Sequence, residues 1–439
     1  MRLTPLAALG VVATACASMG QPPGAPPRLT PPAIILVSPD SGAVLPTFSG
    51  DAVIQFDEVI DEMAQGTGGA PGTVTGLAKQ IVLSPVAGPV KVSWHRSAIH
   101  IKPKEGWKPG RVYHLQLLPG IVDLHRNILK RGETIIFSTG PALPTASLRG
   151  IALSWVEQHT IPQALIRAVL KPDTIAYLTY TDSTGRFRLD GIPPGQYVVY
   201  AVNDQNSNRA RDQREAFDSD LVTLDSTAAA TLWTFVHDTT GPRLRAPEPL
   251  DSSSFRLTFT APLSPAHVPD TGTVHLYELP DTTPVALSAV LTPAANDSLV
   301  ARQRAVADSL RRAADTTRAA VDTTKKKAAA GRDTTARKPP TQGPVSHPGA
   351  ASAVDSAVIK LLATRPIPTD KIVVRTSMPL KPSTKYFIRV TGATNLNGVR
   401  ADAVSVLVVP APKKVAADST AKAKADTTAK AKPDSTRHP

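Results

Sequence analysis

The stretch VKVSWHRSAIHIK, from Val90 to Lys102, alternates apolar and polar residues almost without a break. A period of two puts successive side chains on opposite faces of an extended chain, which no helix can accommodate. Residues 33–140 read as short strands, AIILVS, DAVIQF, KQIVLS, VKVSWH, AIHIK, RVYHLQLL and ETIIFST, with the alternation clear in VKVSW, AIHIK and VYHLQLL. Turn residues separate these runs. Seven short strands in about a hundred residues predict two packed antiparallel sheets, each with one buried and one wet face. The 42 prolines and the 5% aromatic content of the 439-residue chain agree with strands and turns rather than helical bundles. A chain of this length implies about three domains.

The formal charge is +13. Residues 297–352 hold eleven Lys/Arg against five Asp, and residues 410–439 hold seven against three. Ten of the thirteen charges therefore sit in two segments of low complexity, which leaves the rest nearly neutral. No stacking aromatics lie among these lysines, so the pattern argues against a nucleic-acid partner.

Cys16 is the single cysteine. It closes MRLTPLAALGVVATAC, in which one arginine precedes an apolar run and small residues. This is the layout of a secretory leader, too short to span a bilayer permanently. The stretch Ala13-Thr14-Ala15-Cys16 resembles the end of a bacterial lipoprotein signal, with Ala13 where a leucine is usual. The resemblance implies cleavage after residue 15 and acylation of Cys16. With Ala17 following, it also implies an outer-membrane destination in the cell envelope. Residues 16–32 are a Pro/Gly-rich tether.

Several spaced landmarks give the first domain a family likeness. SPDSGAV, VIQFDEVID, KPGRVYHLQLLPGIVD and the closing FSTG together resemble the bacterial Ig-like domain of S-layer type over 33–140. Residues 144–238 differ. In TDSTGRFRLDGIPPGQYVVYAVND, the turn at Asp182–Gly185 is followed by Phe187 and Leu189 on one face. A second turn at Pro193–Gly195 then leads to Tyr197, Val199 and Ala201. This pattern resembles the prealbumin-like fold of carboxypeptidase regulatory domains, which are non-catalytic modules. The fold class expected is all-β: tandem Ig-like and prealbumin-like antiparallel sandwiches with a disordered insert and tail.

An internal echo organises the remainder. Lys108-Pro109 precedes Tyr113 and Lys381-Pro382 precedes Tyr386 at the same spacing, and each tyrosine opens an alternating strand. Residues 242–296 with 353–409 are therefore expected to form a second, degenerate Ig-like domain. The insert 297–352 carries Asp308, Asp315 and Asp322 seven apart, a hint of an Ala-rich helix from about Ser298 to Ala320. Its apolar side is too slim to offset ordering, so it is expected to be loosely helical or disordered. The tail 410–439 is expected to be disordered.

DQNSNRARDQRE places Asp204, Asn206, Asn208, Asp212 and Glu215 at positions 1, 3, 5, 9 and 12, the side-chain positions of an EF-hand calcium loop. Arg209 stands where that loop needs glycine, three arginines bring positive charge, and no helix pattern flanks it. The stretch reads either as a structural calcium site on a β scaffold or as a solvated polar loop closed by its own Asx side chains. Other chemistry has little support. The chain lacks GxSxG, HExxH and a phosphate loop, and its one cysteine sits in the leader. His95 and His100 lie on predicted strands and could form a metal pair with His114 or His125, but scattered strand histidines are more often surface residues. Asp57, Glu58, Asp61 and Glu62 follow the second strand, with no aromatic cleft to suggest glycoside hydrolysis. The reading is a non-catalytic lipoprotein with an adhesive or scaffolding role among envelope proteins or polysaccharide. Its rivals are a carbohydrate or peptidoglycan binder, which needs exposed tryptophan from Trp94, Trp107, Trp155 or Trp233, and an accessory module of an envelope complex.

Overall fold

The computed structural model describes residues 29–61, 76–323 and 356–411. The leader, most of the tether, the Gly-rich stretch 62–75, residues 324–355 and the tail from 412 lie outside them. The chain divides into two compact units, Met1–His237 with Ser346–Ile367, and Asp238–Val345 with Pro368–Pro439.

The first unit opens with the seven strands that the sequence predicts. β1 (Ile34–Ser38), β2 (Ala52–Phe56), β5 (Ala98–Pro103) and β4 (Val90–His95) form one antiparallel sheet, in that order. β3 (Ile81–Ser84), β6 (Val112–Leu117) and β7 (Glu133–Ser138) form the other. Between them lies a core of Ile54, Phe56, Ile99, Ile101, Leu83, Leu115 and Phe137. Each such side chain contributes roughly 1.5–3 kcal/mol on burial. At one end Trp107 meets Tyr113 edge-on at 4.9 Å and Phe137 at 5.3 Å. The Tyr113 hydroxyl accepts a hydrogen bond from Lys108 N at 2.7 Å, tying the strand start to the preceding corner.

Two strands depart from the half-wet pattern. β3 and β6 are buried at every position, on both faces. The second sandwich of the same unit accounts for this. It comprises β8 (Ser147–Ser154), β9 (His159–Thr160), β10 (Leu165–Lys171), β11 (Ile175–Tyr180), β12 (Arg186–Asp190), β13 (Gly195–Val202), β14 (Ala216–Leu224) and β15 (Thr227–Val236). Seven of them form one hydrogen-bonded path, β11-β10-β13-β14-β15-β8-β12, and β9 pairs with β8 off it. β14 pairs with β15 only at Ala216↔Val236 and Phe217↔Phe235, where the path turns a corner and folds onto itself. β15 and β8 make the parallel ladder of an otherwise antiparallel domain. Phe187, Leu189, Tyr197, Val199 and Ala201 are buried in its core, as their alternation predicts. Gly185 turns with φ +78°, and a Cβ there would come within 2.6 Å of Thr160. The turn therefore needs glycine.

The second unit is a further two-sheet sandwich. Its sheets run β16 (Glu248–Asp251), β17 (Ser254–Leu263), β21 (Thr369–Thr376), β20 (Leu287–Leu291), and β19 (Thr283–Pro284), β18 (Val274–Glu278), β22 (Lys385–Thr394), β23 (Arg400–Val408). The Tyr386 hydroxyl accepts from Lys381 N at 2.8 Å, the same corner as in the first sandwich. β20 and β21 are antiparallel neighbours, so the insert opens a hairpin. A long excursion there is tolerable because closure entropy grows slowly with length. The insert begins with α1 (Pro293–Thr323), a continuous helix longer than the Ser298–Ala320 stretch expected from sequence. α2 (Ser356–Leu362) follows, and its Val358 packs with Ile151, Leu153 and Trp233 of the first unit. The strands of the third sandwich therefore resume at Thr369 rather than at 353.

Candidate functional site: a polar clasp at the first junction

β13 and β14 are adjacent antiparallel strands, paired from Gly195↔Leu224 to Val202↔Phe217. The polar stretch Asp204–Glu215 is the loop between them. Asp204 accepts from Asn208 N (3.1 Å) and Arg209 N (2.9 Å) through its two oxygens. Asn206 Oδ1 accepts from Asn208 N, and Asn208 Oδ1 from Ala210 N. Both carboxamides donate to Asp212 Oδ2, at 2.7 and 3.0 Å. Glu215, only 5% exposed, accepts from Gln205 N and Asp212 N. All five residues singled out in the sequence are thus brought together.

Arg209 takes φ +57°, the left-handed turn for which an EF-hand loop uses glycine. Non-glycine residues adopt it at a cost. Its guanidinium offsets that cost: it donates to Ile81 O (2.8 Å), Lys79 O (2.9 Å) and Ala78 O (3.0 Å) on the first sandwich. Charge-assisted bonds of this kind contribute about 1.5–3 kcal/mol each. Arg211 also turns away from the loop interior, lying 4.8 Å over Phe217 and 5.4 Å over Tyr200. The donor oxygens suit a hard cation such as calcium, but their hydrogen bonds close the loop without one. Among the described residues, the metal-type triad with ligand atoms within 4.8 Å of one another is Glu58, Asp123 and His125, not the carboxylates of this loop.

A second patch completes the junction. Ser84 Oγ accepts from Leu178 N at 3.0 Å. His114 projects from the outer face of β6 against Tyr177, ring centroids 5.2 Å apart, and its Nε2 lies 3.3 Å from Gly191 O. Its Nδ1 is buried without a hydrogen-bond partner among the described residues. Burial pushes the imidazole down to about 4, outweighing the Gly191 carbonyl and the Asp190 charge that favour protonation. His114 is therefore neutral at pH 7. The sequence places it at the surface; the structure buries it to 1% exposure because the second sandwich covers that face.

The other candidates separate. The His95 and His100 rings lie 4.2 Å apart, and His100 Nδ1 is 3.5 Å from Asp51. His114 belongs to the opposite sheet. Asp57 accepts from Ala33 N, whereas Glu58 turns to the Asp123–His125 side, so the neighbouring carboxylates serve different contacts. Asp123 is held below the usual carboxylate range: burial opposes this, but the amides of Asn127 and His125 outweigh it. Glu62 and Cys16 lie outside the described residues. None of the four tryptophans is exposed. Trp94, Trp107 and Trp155 donate to Ile60 O, Gly50 O and Pro366 O. Trp233 is buried, with Arg365 5.3 Å over its ring.

Residues 29–139 match the family model described as the bacterial Ig-like domain. No curated protein matches the chain. Among solved structures, the chain is similar to BcpA, the major pilin subunit of Bacillus cereus, at 10% identity and TM-score 0.17, covering 47% of this chain and 71% of that one. A putative carbohydrate binding protein from Bacteroides uniformis matches at 13% identity and TM-score 0.16, covering 61% and 100%. An L,D-transpeptidase from Mycobacterium tuberculosis matches at 15% and 0.16, covering 39% and 76%. Superpositions this loose add nothing to the reading of the junction. No helix among the described residues is long and apolar enough to cross a membrane.

Proposed function

We propose that this chain is a non-catalytic protein of the bacterial cell envelope, anchored by a lipid on Cys16, whose β-sandwiches serve as a scaffold or adhesive spacer. The observation that supports it most is the built junction in the first unit. Two sandwiches meet over two doubly buried strands, β3 and β6, and a three-carbonyl arginine clasp, which suits bearing a fixed geometry rather than opening for a substrate. The Ig-like match of residues 29–139 agrees with a binding or spacing module.

The test is fatty-acid labelling and membrane fractionation of the full chain beside Cys16→Ala. The wild-type chain should carry label and sediment with envelope membranes, and the variant should lose both. An unlabelled wild-type chain in the cytoplasmic fraction would overturn the proposal.

A further inference from the structure

The outer face of β10, β11, β13 and β14 carries cations without counter-ions. Ile166 and Ala168 of β10 and Val199 and Ala201 of β13 face the core, so the period of two sends Arg167 and Tyr200 to the other side. These two stand directly opposite one another across the strand pair. Arg167 is half-buried, and its Nε is enclosed with no hydrogen-bond partner among the described residues. Arg211, from the adjoining loop, lies 5.4 Å over the Tyr200 ring. Among the described residues nothing accepts from either guanidinium or bonds the Tyr200 hydroxyl. Other arginines of the domain are engaged: Arg209 on three carbonyls and Arg188 on Asp190. The acidic residues of these four strands are Asp218 and Asp220, both in step with the core-facing Val222 and Leu224. The outward positions therefore hold positive groups and no carboxylate.

A guanidinium sunk among apolar side chains is costly unless an anion meets it. Its planar fork fits a carboxylate through two parallel bonds, and a tyrosine hydroxyl can donate a third. Beside this donor set runs an aliphatic row, Val169, Val198 and Leu221, paired across β10, β13 and β14. Leu221 is 57% exposed. The row lies two residues along the strands from Arg167 and Tyr200, about 7 Å, which is also the spacing of alternate side chains on any extended chain. An acidic residue and an aliphatic one two positions apart thus match the face in charge and in spacing. A sugar acid fits less well, because Arg211 covers the Tyr200 and Phe217 rings on which it would stack. A bilayer fits less well too, because the face offers neither a cluster of lysines nor an exposed aromatic.

We propose that this face binds an extended acidic segment of a partner protein, with one carboxylate held by Arg167, Tyr200 and Arg211 and an aliphatic side chain seated on Val198 and Leu221. The proposal goes beyond the scaffold reading and is independent of the lipid anchor. The probe is a rhodamine-labelled peptide, Ser-Glu-Ser-Val-Ser-Glu-Ser, beside a counterpart with Gln for both Glu. Each is titrated with the full-length Cys16→Ala chain and read by anisotropy. The acidic peptide should bind at least about tenfold more tightly than the Gln peptide. Arg167→Gln should weaken it at least about tenfold and Arg211→Gln about threefold. Arg149→Gln, which removes one charge from β8 of the same sandwich, should change it less than about twofold. Leu221→Glu alters an exposed position and neither arginine; it should weaken the acidic peptide about fivefold by like-charge repulsion. Equal binding of the two peptides overturns the proposal, as does no saturable binding up to about 5 mM. So does binding that neither Arg167→Gln nor Leu221→Glu weakens in variants of unchanged circular dichroism. Tighter Arg167-dependent binding to alginate oligomers, or to vesicles of phosphatidylglycerol and phosphatidylethanolamine, also overturns it.

Discussion

The first and third sandwiches are built on the same corner and filled differently. In each, a lysine amide donates to a tyrosine hydroxyl five residues on, at 2.7 Å for Lys108–Tyr113 and 2.8 Å for Lys381–Tyr386. Around Tyr113 the filling is aromatic, with Trp107, Phe137 and Phe48 in mutual edge and tilted contact. Around Tyr386 it is largely aliphatic, including Ile388, Val390, Leu380 and Leu407. The corner is a local device that depends only on spacing, so it survives in both. The filling depends on which distant strands arrive, so it diverges.

Core truncation should separate the two most sharply. Phe137→Ala should destabilise the first sandwich by about 3–5 kcal/mol. In calorimetry of the full chain one transition should fall while that of the third sandwich stays. Both falling together would break the distinction.

Acid should come next, and only the first unit should respond through a histidine. His114 titrates at about 4 in the fold, against about 6.5 in an unfolded chain. Between those values the unfolded chain binds more protons. Stability is whole above about pH 6.5 and is lost as the pH falls towards 4, by about 3 kcal/mol in total. His114→Gln should flatten that part of the melting profile, and an unchanged slope would refute the assignment.

Arg209→Gly removes the three carbonyl contacts and also relieves the cost of a non-glycine residue at φ +57°, so its effect is the difference between the two. After that relief a net loss of at least about 2 kcal/mol is expected, with faster hydrogen exchange at the 78–81 amides. Arg209→Lys should recover only part of it, since an ammonium lacks the planar fork.

Tyr113→Phe and Tyr386→Phe should each cost about 1 kcal/mol and should match one another. A clear inequality would show that the shared corner is not equivalent in the two domains. Millimolar calcium should do least: with the 204–215 loop closed by its own hydrogen bonds, melting should be unmoved by calcium or chelator. A calcium-dependent gain would instead support the metal reading of Asp204, Asn206, Asn208, Asp212 and Glu215.

Much of this was legible in the residues. All seven strands of the first domain lie where the short strand runs between turn residues put them, and in β4, β5 and β6 the alternation also states which positions face the core. The polar loop was legible as a cluster, since its Asx residues act on amides two to five positions away. The destination of Arg209 was not, because its acceptors are more than a hundred residues distant in sequence. Nor was the burial of His114: on β6 it occupies an outward position, and only the arrival of Tyr177 and Gly191 dries it.

The amino-acid order alone determined the strands, their inward faces, the tyrosine corners and the helical period of α1, all of which follow from contacts within a few residues. Tertiary structure decided what covers an outward face. It made β3 and β6 doubly buried, sent the Arg209 guanidinium across to another domain's carbonyls, and drew α2 out of the third sandwich onto Ile151, Leu153 and Trp233. Periodicity says that a surface is apolar or polar, but the partner it meets is set by chain segments whose approach no local spacing encodes.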